Sequence, residues 1–90
     1  MRIALICKDK PGALQIRLDT RAAHLAHIET SGVVEMAGPL LDAQGAMCGS
    51  LVVLMVESME QAQAWAAADP YALAGLFDSV EIIEWKKVIG

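Results

Sequence analysis

The sequence predicts an α+β fold: a four-stranded antiparallel sheet with two helices on one face. Three observations carry that prediction. Four short stretches are rich in apolar residues with strand-like alternation. Two longer ones repeat apolar residues at spacings of three and four. The six stretches follow one another as β-α-β-β-α-β.

Arg2 to Lys8 opens the chain. Ile3, Leu5 and Cys7 fall on one face and Ala4 and Ile6 on the other, which suits a strand buried on both sides. Asp9-Lys10-Pro11-Gly12 reads as a loop. Ala13 to Ser31 reads as a helix. Leu14, Leu18, Ala22, Leu25 and Ile28 make one stripe, expected to face the core. Arg17 and His24 border that stripe, Arg21 falls on or beside it, and Asp19 and Thr20 point away. Gly32 is placed to close the helix.

Val33 to Leu40 is a weaker strand with Glu35 inside it, and Gly38-Pro39 should end or bulge it. Asp42-Ala43-Gln44-Gly45 is a turn. Cys48 to Glu57 holds the most apolar run, Leu51 to Val56. Ser58-Met59-Glu60-Gln61 is a capping box. Its helix runs through Ala68 with Ala62, Trp65 and Ala66 inward. Pro70 disfavours the α region for Asp69, so the helix should stop there and project the carboxylate from a fixed corner. A short turn, Tyr71 to Leu76, leads to a last strand, Asp78 to Val88. There Val80, Ile82 and Ile83 are apolar, and Glu81, Glu84 and Lys86 are polar.

This order is the split βαβ, ferredoxin-like plan, whose first and third strands are central. The two strands apolar on both faces are the first and the third, as that plan requires. Residues 1–90 make a single domain of modest size. Yet 56% of them are hydrophobic, more than so small a domain comfortably hides. A bare second sheet face costs on the order of 25 cal/mol per Å². A homodimer packed sheet to sheet, a dimeric α/β barrel, is therefore expected.

The net charge is −4, and no block of Lys or Arg exists, which argues against nucleic acid. No apolar run has the length of a membrane span, and Met1-Arg2-Ile3 lacks a signal-peptide layout. Cys7 and Cys48 read as reduced structural residues of a cytoplasmic protein.

His24 has Thr20 and Arg21 one turn back, so no carboxylate shares its helical face. An acidic partner must come from elsewhere, and Asp69 is the candidate. An imidazole oriented by a carboxylate is a common general acid/base arrangement. The plainer readings are a packed or surface histidine, and a turn-forming aspartate. His24-x-x-His27 has metal-ligand spacing but no third ligand, so no metal is expected. Ser50 opens the core strand. No serine-nucleophile motif, P-loop or dinucleotide fingerprint is present, and no cofactor is implied.

Five fragments in order add to this: Arg21-Ala22-Ala23-His24-Leu25, Ala37-Gly38-Pro39-Leu40, Gly49-Ser50-Leu51, Ala68-Asp69-Pro70-Tyr71, and Ala74-Gly75-Leu76-Phe77 before Val80-Glu81-Ile82. Their order and spacing, across nearly the whole chain, resemble the YCII family of YciI-like proteins. The resemblance implies a ferredoxin-like domain that dimerises into an α/β barrel similar to muconolactone isomerases. It also implies an active site on a histidine and an aspartate, which match His24 and Asp69. One member with an assigned reaction is a dehydrochlorinase of a chlorinated hydroxybenzene. The expected function is a cofactor-free lyase or isomerase acting on a small cyclic or phenolic compound. His24 would move the proton and Asp69 would orient the ring. Ser50 and the backbone at Gly38-Pro39 would bond the ligand, with Tyr71 and Phe77 as walls. Arg17 and Arg21 would draw an anionic ligand, or else be solvated or internally paired. The alternative is a non-catalytic small-molecule-binding or regulatory module using the same pocket.

Overall fold

The computed structural model describes all residues, Met1 to Gly90. Its elements are β1 (Arg2–Asp9), α1 (Leu14–Ser31), β2 (Val34–Leu41), β3 (Met47–Met55), α2 (Met59–Ala68), α3 (Pro70–Leu73) and β4 (Phe77–Glu84). The strands form one antiparallel sheet ordered β2-β3-β1-β4, so β1 and β3 are central. This is the ferredoxin-like split expected from the pattern, with one added short helix, α3.

Register sorts the side chains. Leu5 lies opposite Val52 on one side and Ile82 on the other. Ile3, Leu5, Cys7, Val52 and Leu54 share the helix-covered face and pack with Val56, Ala62 and Trp65 into the main core. Full burial of each large aliphatic side chain there contributes roughly 1.5–3 kcal/mol. β3 approaches β1 so closely at Gly49 that a Cβ there would meet the Cys7 carbonyl oxygen at 2.3 Å. Glycine is thus required in the position next to Ser50.

The opposite sheet face is apolar and only partly covered: Ala4 and Val53 at its centre are buried, and large apolar residues around them are exposed. Met36, Val53, Ala4 and Ile83 form one row across all four strands. Met36, Leu51, Met55 and Ile83 on this face are all exposed. No helix is long and apolar enough to cross a membrane.

Local details differ from the sequence reading. β2 runs through Gly38-Pro39 to Leu41, and its irregularities lie between Val34 and Met36 and between Leu40 and Leu41. At a sheet edge the missing proline donor can face outward, so the strand survives it. In the α2 cap, Ser58 Oγ accepts the Gln61 N–H at 3.1 Å, but Gln61 Oε1 reaches past Ser58 to the Glu57 N–H at 3.0 Å. β4 stops at Glu84, short of the expected Val88.

The largest correction concerns α1. The leucine stripe does not face the core: Leu14, Leu18 and Leu25 are exposed, Leu25 at 45%. The buried residues of this helix are Arg17 and His24. The helix is rolled so that a polar row faces the rest of the chain. Partners distant in sequence make that burial affordable, as follows.

Candidate active site

Arg17 and His24 are seven residues apart, about two helical turns, and so share the inward side of α1. Arg17 is only 3% exposed. Its Nε and Nη2 donate to the two Asp9 carboxylate oxygens, each at 2.8 Å, and Nη2 also donates to Ser50 Oγ at 2.9 Å. Asp9 ends β1 and Ser50 lies in β3, so this one side chain ties α1 to both central strands. Burial works against the guanidinium charge, but the bond and charge of Asp9 outweigh it and hold the pKa above its ordinary value. Arg17 therefore remains a cation, internally paired.

The Asp69 corner forms as its sequence requires. The α2 helix ends at Ala68, and Asp69 is extended (φ −61°, ψ 124°) ahead of Pro70. Its Oδ1 accepts the Tyr71 N–H at 3.0 Å, which caps α3. The same oxygen meets His24 Nδ1 at 2.7 Å, with both side chains buried. An ionised carboxylate only accepts, so Nδ1 carries the proton and the neutral ring keeps its lone pair on Nε2. Nε2 has no partner within the chain and is not enclosed, and His24 lines a pocket.

Tyr71 joins the two halves of the site. Its ring stacks on His24 with centroids 3.9 Å apart and 17° between planes. The Arg17 guanidinium carbon lies 4.8 Å from the Tyr71 ring centroid. Phe77 meets Tyr71 edge-on at 6.0 Å. Burial pushes the Tyr71 phenol up, partly offset by the positive charges of Arg17 and Arg21, so it stays an O–H donor at neutral pH.

The pocket holds about 310 Å³, near the lower end for small-molecule sites. Leu18, Leu25 and Ile28 of α1 line it together with Ala37, Gly38 and Pro39 of β2. His24, Ser50 and Tyr71 also line it, with Val52, Met47, Arg17 and Arg21. Of the residues nominated from sequence, His24, Ser50, Gly38, Pro39 and Tyr71 meet in this one pocket, and Asp69 stands behind His24. Phe77 is not a wall; it braces Tyr71 from behind. The Ser50 oxygen already accepts from Arg17, which leaves its O–H proton for other use. His27 is engaged elsewhere, with Nε2 at 3.2 Å from the Trp65 carbonyl oxygen.

The sequence reading places Asp9 in a loop and so leaves it out of the site. The signal was present: Ile3, Leu5 and Cys7 alternate inward, and the same period reaches Asp9. The leucines of the pocket wall were visible but assigned to the core. Cys7 is buried beneath the site. Burial first, then the Asp69 charge, pushes its thiol up to about 12, so it stays protonated and unreactive.

A family model described as the YCII-related domain matches residues 1–86. Protein YciI of Escherichia coli O6:H1 is 38% identical, over 98% of this chain and 99% of its own. Among solved structures, the 5-chloro-2-hydroxyhydroquinone dehydrochlorinase TftG from Burkholderia phenoliruptrix AC1100, in complex with 2,5-dihydroxybenzoquinone, is 35% identical. It superposes with a TM-score of 0.88, covering 96% of this chain and 94% of that one. A mutant of MhuD holding two manganese protoporphyrin IX molecules per active site is 25% identical, with a TM-score of 0.51 over 99% of this chain and 95% of that one. The matched model and the full-length likeness to YciI place the chain in the YCII-related family.

Proposed function

We propose that the protein is a cofactor-free acid/base enzyme of the lyase or isomerase type, acting on a small cyclic or phenolic compound. One observation carries this reading: His24 is held at 2.7 Å by the buried Asp69 while its other nitrogen is left to the pocket. The likeness to a dehydrochlorinase, TftG, supports the same class of chemistry.

In the proposed mechanism the Nε2 lone pair takes a proton from an acidic C–H or O–H of the ligand. The electron pair left behind moves into the ring system. In a lyase it expels an anionic leaving group such as chloride from a neighbouring carbon. In an isomerase the proton returns from Nε2 to a different carbon. Asp69 fixes the tautomer and stabilises the imidazolium formed in between. Tyr71 keeps the ring plane by stacking. The Ser50 hydroxyl, Tyr71 and the Gly38-Pro39 edge position the ligand. General-base catalysis of this kind is worth about 10²–10⁴-fold in rate.

The exposed apolar residues of the second sheet face, Met36, Leu51, Met55 and Ile83, support a homodimer as the working unit. Light scattering at micromolar concentration tests it, and a mass of one subunit rejects it. For the chemistry, a panel of lactones and halogenated hydroxybenzenes is assayed with wild type, His24→Ala and Asp69→Asn. Turnover should fall by about 10²-fold or more in His24→Ala, with circular dichroism unchanged. If no panel member turns over but ligands still raise the melting temperature, the pocket belongs to a non-catalytic binding or regulatory module. That is the second reading, favoured by the absence of any obvious nucleophile lining the pocket.

A further inference from the structure

We infer that the pocket selects a small ring compound carrying an anionic group, a carboxylate or an ionised phenol, and that Arg21 reads its charge. The inference rests on the pocket's being the ligand site, as in the function proposed above, and adds the class of compound. The chain as a whole is acidic, with 11 Asp and Glu against 7 Lys and Arg. The pocket reverses this: its lining contains Arg17, Arg21 and His24, and no Asp or Glu.

The three basic residues are not equivalent. Arg17 is neutralised by the bidentate pair with Asp9, and His24 is matched by Asp69. Arg21 forms no ion pair and no side-chain hydrogen bond within the chain; the remaining ion pair, Arg2 with Glu35, lies elsewhere. It is the one uncompensated full charge on the pocket lining. The neutral polar groups point the same way. Ser50 Oγ receives an Arg17 N–H, so what it has left to offer is a proton. Tyr71 remains a phenol beside the Arg17 guanidinium, whose N–H groups its oxygen can only accept from, so it too has a proton left to offer. Donors and one free cation, against Leu18, Leu25 and Pro39, suit a flat apolar body with an acceptor-rich anionic end.

Isothermal titration of the full chain with matched probes tests this. The carboxylate arm compares 4-hydroxybenzoate with its neutral isostere 4-hydroxybenzamide. The phenolate arm compares 4-nitrophenol below and above its own ionisation. Wild type should prefer at least one anion over its neutral partner by roughly tenfold. That preference should shrink as sodium chloride is raised and fall to about twofold or less in Arg21→Gln. Arg21 is exposed and unpaired, so the variant should fold, which circular dichroism checks. Equal binding of charged and neutral probes by wild type overturns the inference, and so does an anion preference that survives Arg21→Gln. Absence of saturable binding by any probe overturns both it and the assignment of the pocket as a ligand site. Anion binding without turnover of any compound counts only against the catalytic reading.

Discussion

The two long helices lie in the same layer over the same sheet, yet they are built on opposite principles. α2 turns Ala62 and Trp65 inward, and these join the main apolar core. α1 turns Arg17 and His24 inward and leaves Leu14, Leu18 and Leu25 outside. α2 is held by water exclusion, which asks only for apolar residues at the right spacing. α1 is held by polar side chains that each need a particular partner: Asp9 from β1, Asp69 from the α2–α3 corner. The first kind of helix makes a scaffold. The second makes the proposed site, because its inward groups retain chemistry.

The largest test removes one anchor from each helix. Trp65→Ala leaves a cavity and takes away the 2.9 Å bond from Trp65 Nε1 to Ser31 Oγ, at a cost of about 3–5 kcal/mol. Asp9→Ala strands the buried Arg17 charge at a similar cost, about 3–5 kcal/mol. Urea unfolding measures both. The variants should part in their ligand affinity under native conditions. Trp65→Ala should retain it, because Trp65 does not line the pocket. Asp9→Ala should lose it, because Arg17 carries Ser50 and braces Tyr71. If both lost affinity equally, the division between scaffold and site would be false. The double variant Asp9→Ala/Arg17→Met should recover much of the lost stability, since no buried charge is then left alone, but not the affinity.

The smallest effect is the sharpest check on how α1 is rolled. Leu14→Gln should change stability by no more than about 0.5 kcal/mol, as for an ordinary surface position. A loss of about 2–5 kcal/mol in the same urea experiment would mean the leucine stripe packs inward after all.

The comparison also explains what could be read beforehand. α2 was legible because its signals are local: a serine cap, alanines with a tryptophan at helical spacing, and a proline that ends it. The roll of α1 was not. Periodicity assigns leucine to the interior, and nothing within eighteen residues of helix reveals that Arg17 and His24 have acids waiting for them. His24 and Asp69 were paired in advance by elimination and by family resemblance, not by any local rule. Asp9 was within reach of the strand alternation but was masked by the Lys-Pro-Gly that follows it.

Taken alone, the order of residues determined the element sequence, the central places of β1 and β3, and the corner at Asp69. Each of these follows from short-range sterics or from alternation along one strand. Only the tertiary structure decided which side of α1 is buried, that Asp9 and Ser50 hold Arg17, and that Tyr71 lies between Arg17 and His24. Those outcomes depend on electrostatic partners 8, 33 and 45 residues apart along the chain. A buried charge takes its position from whatever neutralises it, and that partner exists as a neighbour only once the chain has folded.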